Sequence, residues 1–139
     1  MQYTQLTSRE KSKRKSLTEQ AKKLVRQTLP IEDRDETSYT CHYKQFYLNV
    51  SFSTLHPLMV FYLAQTHTPK NVSKVHTLLN DINLKSVLGS HSLNEHLGCY
   101  SFRATHWLET ELSETRFLEI LDRCSEEAMR AYGRLIIIN

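Results

Sequence analysis

Seven histidines, three cysteines and a basic run near the N-terminus are the residues of this chain with the most chemistry to offer. Imidazoles bind zinc when two or three share a short spacing on one element. His42, His56, His67, His76, His91, His96 and His106 show no HExxH, HxH or Cys-His pattern and fall on different predicted elements, so no metal site is expected. His106, inward by alternation beside Phe102 and Leu108, reads as a half-buried histidine with its hydrogen bonds met. Cys41, Cys99 and Cys124 are odd in number and widely spaced, the pattern of reduced thiols in a packed interior. Gly89, Gly98 and Gly133 are the only glycines, too few and too scattered for a phosphate-cradling loop. No nucleophile elbow is present, and the carboxylates gather on helix surfaces and in one connection. The residues therefore predict no cofactor, no metal and no enzyme.

The basic run is REKSKRK, Arg9 to Lys15. Residues 1–30 hold Arg9, Lys11, Lys13, Arg14, Lys15, Lys22, Lys23 and Arg26 against Glu10 and Glu19, an excess larger than the whole chain's net +3, so the remainder is net negative. Such a cluster can neutralise phosphates, each contact adding about 0.9 to the salt slope of binding. No aromatic side chains are interleaved with it for base stacking. A nucleic-acid-associated regulator is the alternative reading. Residues 1–15, charged and poor in apolar groups, are expected to form a flexible basic arm.

The elements that must position these groups fit one domain, residues 16–139. A chain of 139 residues, 40% hydrophobic and 24% charged, with mean hydropathy −0.48, has the balance of a soluble globular protein. PLMVFYLA and LIIIN are its longest apolar runs, far short of the roughly 20 residues of a membrane span. The start has basic residues but no apolar stretch after them, so a cytoplasmic protein is expected. The sequons at Asn49 and Asn71 read as chance.

Periodicity gives the order of the elements. Ser16-Leu17-Thr18-Glu19 is a capping box that predicts a helix start, and Leu17, Ala21, Leu24, Val25 and Thr28 form one stripe before Pro30 ends it. From Ser38 the period becomes 2: Tyr39, Cys41 and Tyr43, then Phe46, Leu48, Val50 and Phe52. Leu58 to Gln65 is apolar on both sides, as expected of a strand covered on each face. Asn71 caps a short helix carrying Val72, Val75, Leu79 and Ile82, which is expected to give out at Asn80 to Asn83. Val87 to Leu108 reads as a hairpin turning at Asn94 to Gly98. Ser113 caps a last helix with Phe117, Leu118, Leu121, Cys124, Ala128, Tyr132 and Leu135 inward, and Gly133 is expected to terminate it. The expectation is an α+β fold in the order αβββαββα: three helices on a five-stranded, mainly antiparallel sheet.

That order, the passage LLNDINLKSVLGSH (78–91) and the closing segment CYSFRATHWLETELSETRFLEILDRCSEEAMRAYGRL (99–135) resemble the bacterial YbjN family and the type III secretion chaperone-like fold it shares. The likeness covers roughly residues 38–136. It lies in the Asn-rich helix end Leu79 to Asn83, the Arg/Thr-bearing strand Tyr100 to Leu108 and the late Tyr132 of the last helix. The chain departs from the family at Ser90-His91, where an apolar aromatic is usual. The resemblance implies a non-enzymatic protein-binding module, a chaperone or adaptor often found as a homodimer. Its secretion-chaperone relatives hold extended client segments on helix and sheet surfaces, and this chain is expected to bind a protein partner by strand addition or by groove contacts. Leu17 and Leu24 on the first helix, with Tyr47, Phe61 and Trp107 on the strands, are the candidate partner contacts.

Overall fold

Alternation along the strands sends their largest apolar side chains to one side of a sheet, and three amphipathic helices cover that side. The computed structural model describes residues 5–138. Its elements are α1 (Ser8–Thr28), β1 (Asp33–Arg34), β2 (Ser38–Tyr43), β3 (Phe46–Phe52), β4 (Leu58–Thr66), α2 (Val72–Lys85), β5 (Ser90–Asn94), β6 (Cys99–Trp107) and α3 (Glu114–Ile138). The strands lie in the order β1-β2-β3-β4-β6-β5, with every neighbouring pair antiparallel.

Register puts Leu48 opposite Cys41 and Leu63, Phe61 opposite Val50 and Ala104, and Phe102 opposite Leu63 and His91. Onto this layer α1 lowers Leu17, Ala21 and Val25, α2 lowers Val75 and Leu79, and α3 lowers Phe117, Leu121, Ala128 and Leu135, all buried. The Phe61 and Phe117 rings lie 6.0 Å apart, fixing α3 over the centre of the sheet. Gln20 acts as a clamp between layers. Its amide nitrogen donates to the Leu112 carbonyl at 2.9 Å and its oxygen accepts from the Leu112 N–H at 2.9 Å, holding the β6–α3 connection against α1.

Five points depart from the sequence reading. The sheet has six strands and not five, so the order is αββββαββα. The added β1 lies in the acidic connection, and two exposed residues carry no periodicity to betray it. α1 starts at Ser8, not at Ser16: Thr7 accepts from the Glu10 N–H at 3.1 Å. Thr7-Ser8-Arg9-Glu10 is itself a Thr-x-x-Glu box, and residues 8–15 continue into the helix; residues 1–4 of the expected arm lie outside the described residues. α2 runs on to Lys85, because Asn83 spends its side chain on β5 and leaves the helix backbone intact. Gly133 sits inside α3, which continues to Ile138. β4 is covered on one side only: Met59, Phe61 and Leu63 are buried, whereas Leu58, Val60, Tyr62 and Ala64 are half-buried on the other side. The expected caps at Asn71 and Ser113 are present, accepting from the N–H groups of Lys74 and Arg116, each at 3.1 Å.

Candidate docking face and capped sheet edges

The side of the sheet away from the helices carries Tyr47 opposite His42 and Ala64, Tyr62 opposite Asn49 and Arg103, Val60 opposite Thr105, and Trp107 opposite Leu58. Tyr47 and Trp107 are 47% and 44% exposed. The His42 and Tyr47 rings meet edge to face at 6.0 Å. A shallow depression of 520 Å³ opens between Tyr47, Gln65 and Cys99. At the other end the Arg14 guanidinium lies 5.4 Å from the centre of the Trp107 ring, so α1 reaches round to the rim of this face. Aromatics that are half-exposed and held by neighbours lose little side-chain freedom when covered, which is why such residues dominate interface energies.

The five expected contacts divide. Tyr47 and Trp107 stand on this face. Leu24 is half-buried against the core on α1, while Leu17 is 8% exposed and Phe61 is fully buried against Phe117. Phe61 thus serves the interior, while Leu17 packs into the core and shows only its edge in a small depression beside Arg14 and Trp107. Parity decides Phe61, which lies opposite inward Val50 and Ala104.

Both edges of the sheet are partly closed by side chains. At the β2 edge, the Glu32 N–H donates to the Thr40 carbonyl at 2.8 Å and the Asp35 N–H to the Ser38 carbonyl at 3.0 Å. Beyond β1 the Glu32 carboxylate accepts from the His42 N–H at 3.4 Å and lies 2.9 Å from His42 Nδ1. That contact holds the Glu32 carboxyl below its ordinary range. At the β5 edge, Asn83 imitates a neighbouring strand. Its nitrogen donates to the His91 carbonyl at 2.9 Å and its oxygen accepts from the His91 N–H at 2.7 Å. Ser86 Oγ donates to the Gly89 carbonyl at 2.6 Å. In antiparallel pairing alternate residues turn their N–H and C=O away from the neighbour, and His91 is such a residue. Edge groups left open invite another chain to pair. Asn83→Ala is expected to cost about 1–2 kcal/mol in urea denaturation and to speed amide exchange at His91. Unchanged exchange there would show that the clamp protects nothing.

Behind this clamp lies a buried polar cluster that sequence reading missed. The His91 side chain is wholly buried. Its Nδ1 is 2.7 Å from the Tyr100 hydroxyl, its Nε2 is 3.2 Å from Glu127 Oε1, and its ring stacks on Tyr100 with centroids 6.0 Å apart. Ser86 Oγ also lies against Glu127 Oε1, so its one proton is shared between that carboxylate and the Gly89 carbonyl. Burial lowers the His91 pKa while Glu127 opposes the shift; burial raises Tyr100, and pushes the Cys124 thiol up to about 11. Serine, glutamate and histidine are the types of a hydrolytic triad, but Ser86 bonds to the carboxylate and His91 Nδ1 faces a tyrosine, an order that cannot activate the hydroxyl. The arrangement ties α3 to β5 and to the loop before it. A legible signal did exist: an acid flanking the apolar stripe of α3, and a histidine where alternation demands an inward side chain.

Among the described residues no group of three or more His, Cys, Asp or Glu is placed to hold a metal ion, and no helix is long and apolar enough to cross a membrane. No protein-family model matches the chain, and no curated protein matches its sequence. Solved structures do match. YbjN from E. coli, described as a candidate transcription regulator, superposes with TM-score 0.61 at 10% identity over 81% of this chain and 86% of its own. A chain of the HopA1-SchA chaperone-effector complex superposes with TM-score 0.54 at 13% identity over 93% of this chain and 97% of its own. The chain has the YbjN and type III chaperone-like fold. Identity this low establishes the architecture and no residue roles. In the chaperone-like fold of this chain, the sheet face away from the helices carries half-exposed Tyr47 near one end and Trp107 at the other.

Proposed function

We propose that the chain is a non-enzymatic protein-binding module, a chaperone or adaptor, that holds its partner against the open sheet face. The observation that carries this reading is the placement of all three helices on one side, leaving Tyr47, Tyr62, Val60 and Trp107 outward on the other. The SchA complex supports a protein partner, since a chain of that complex shares the fold. Of the two modes of capture expected from sequence, contact with the face fits better than strand addition, because Asn83, Ser86 and Glu32 occupy edge positions an added strand would need. Work in the cytoplasm and assembly as a homodimer belong to the same reading.

One observation favours nucleic acid as the alternative. Lys11, Lys15, Lys22 and Arg26 fall within about 60° of one another around α1 at 100° per residue, a stripe that could follow a phosphate backbone. Two of its members are engaged within the fold, Lys22 with Glu19 at 3.5 Å and Arg26 with the Tyr39 hydroxyl at 2.9 Å.

Capture from a native extract, with and without nuclease, separates the two. Tyr47→Asp is expected to weaken capture by about 1–3 kcal/mol with the fold intact. Neutralising Lys11, Lys13 and Lys15 together is expected to change it little; Arg14 is spared because it packs on Trp107. The regulator reading requires the reverse: loss on neutralisation, steep salt dependence and indifference at Tyr47. Parent-like capture by both variants would end the open-face reading.

A further inference from the structure

A second concave surface lies on the helical side, between α2 and α3. The two helices run antiparallel, since the start of α2 meets the end of α3 and Ser86, just past α2, bonds to Glu127. Two openings follow the seam. One, of 470 Å³, lies between Ile82, Val87, Leu88, Arg130 and Ala131. The other, of 820 Å³, lies between Thr77, Leu78, Ile137 and Ile138. Asp81 and Arg134 bridge the helices between them at 3.9 Å. The step from one opening to the next is seven residues on either helix, Arg130 to Ile137 on α3 and Leu78 to Lys85 on α2. That is about two turns, roughly 10.5 Å.

Both openings are lined by apolar side chains that face solvent: Val87 is 93% exposed, Leu88 46% and Ile137 83%. The charges between them are not balanced locally. Lys85 and Arg134 both lean on Asp81, and Glu127 is turned inward to Ser86 and His91. Arg130 has no ion pair or hydrogen bond among the described residues and stands on the rim of the first opening. The seam thus offers two openings two turns apart, each with exposed apolar side chains among polar ones, Lys74 and Asp81 at the second included, and one uncommitted guanidinium beside the first.

We propose that this seam docks an amphipathic helix of a partner protein. Its apolar anchors stand at positions i and i+7, and an Asp or Glu three or four residues from the first anchor pairs with Arg130. A helix fits the spacing because i and i+7 return to the same face after two turns, and i+3 or i+4 lies between them on that face. A third helix resting between two antiparallel helices is an ordinary ridge-and-groove packing. The proposal rests on the protein-binding reading but uses a different surface, so each can fail alone.

The probe is a fluorescein-labelled synthetic helix of about 18 residues with Leu at i and i+7 and Glu at i+3, titrated against the full chain by anisotropy. Two controls replace Glu by Lys, or both Leu by Gln. The Glu peptide is expected to bind. The Lys peptide is expected to bind roughly tenfold more weakly, and the Gln peptide not measurably. R130E is expected to invert the preference between Glu and Lys peptides, while Tyr47→Asp leaves it unchanged. Absence of binding by the Glu peptide, or a preference that R130E does not invert, overturns the proposal. Loss of peptide binding in Tyr47→Asp moves the contact to the sheet face and also overturns it. Light scattering that shows a dimer broken by R130E assigns the seam to a second copy of the chain, with the same consequence. If the peptide fails while capture of a client still depends on Tyr47, only the seam is lost.

Discussion

Gly89→Ala is expected to remove about 3 kcal/mol of stability and lower the melting temperature by roughly 10 °C. A Cβ at this position would lie 2.2 Å from the Arg103 carbonyl oxygen and 2.9 Å from Phe102 Cζ. The oxygen belongs to β6 and cannot swing aside, so the start of β5 must separate from β6 where Ser90 pairs with Arg103. That movement also pulls on the Ser86 bond to the Gly89 carbonyl. The other glycines give the contrast. Gly98→Ala is expected to cost about 1 kcal/mol, because φ is +61° there and only the Thr68 hydroxyl is near, at 3.5 Å. Gly133→Ala is expected to gain about 0.5–1 kcal/mol, since nothing lies within 4 Å and the site is inside a helix. Urea denaturation of the three variants checks the ranking. A Gly89→Ala protein as stable as its parent would show that β5 does not approach β6 so closely.

His91→Ala is expected to cost about 3 kcal/mol, combining a cavity beside Phe102 with the loss of partners for the Tyr100 hydroxyl and the Glu127 carboxylate. The same residue sets a pH dependence whose sign follows from its lowered pKa. Unfolded, His91 takes up a proton near its ordinary 6.5; folded, burial makes it resist until the pH is lower. Between those two values the unfolded chain binds more protons, so stability falls as pH falls. The contribution is full above the unfolded value and is lost as pH drops through the folded one. His67 and His106, also lowered by burial, act in the same direction. His91→Gln, which keeps a polar group against Tyr100 and Glu127, is expected to flatten the fall in melting temperature between about pH 7.5 and about pH 5 without abolishing it. A curve parallel to the parent's would mean that His91 does not titrate across this range in the manner derived.

Helices, strands and their order were readable because each carries a long periodic signal, from Leu17 to Thr28, from Tyr39 to Phe52 and from Phe117 to Leu135. The points that escaped were those where two local signals were equal or none existed. Thr7-Ser8-Arg9-Glu10 and Ser16-Leu17-Thr18-Glu19 are both adequate boxes on one helix; the outer one prevails where Arg14 packs on Trp107 and Leu17 enters the core. β1 is too short to have a period. In Leu58 to Gln65 every position is apolar up to Ala64, so parity alone could not say which side Phe61 faces, and the answer came from its neighbours Val50 and Ala104. Asn83 looked like a helix breaker because its side chain can bond to its own backbone; its partner proved to be His91, eight residues on. Of the proposed docking face, Tyr47 and Trp107 are legible as outward aromatics, whereas the seam between α2 and α3 depends on which residues two helices present to each other and leaves no mark in either alone.

The ladder between β4 and β6 has a kinetic consequence. Strands β1 to β4 form a meander of near neighbours and β5 with β6 forms a hairpin, so within the sheet these two locally connected pieces meet only where Leu58 to Thr66 pairs with Cys99 to Trp107. Every other rung closes a short loop. This one encloses α2 and β5, and its loop-closure entropy must be met before any of its contacts reward the chain. Inward Phe61, Leu63 and Phe102 and outward Val60, Tyr62 and Thr105 alike sit on this ladder, so substitutions at either set are expected to slow the joining of the two halves more than substitutions confined to one of them.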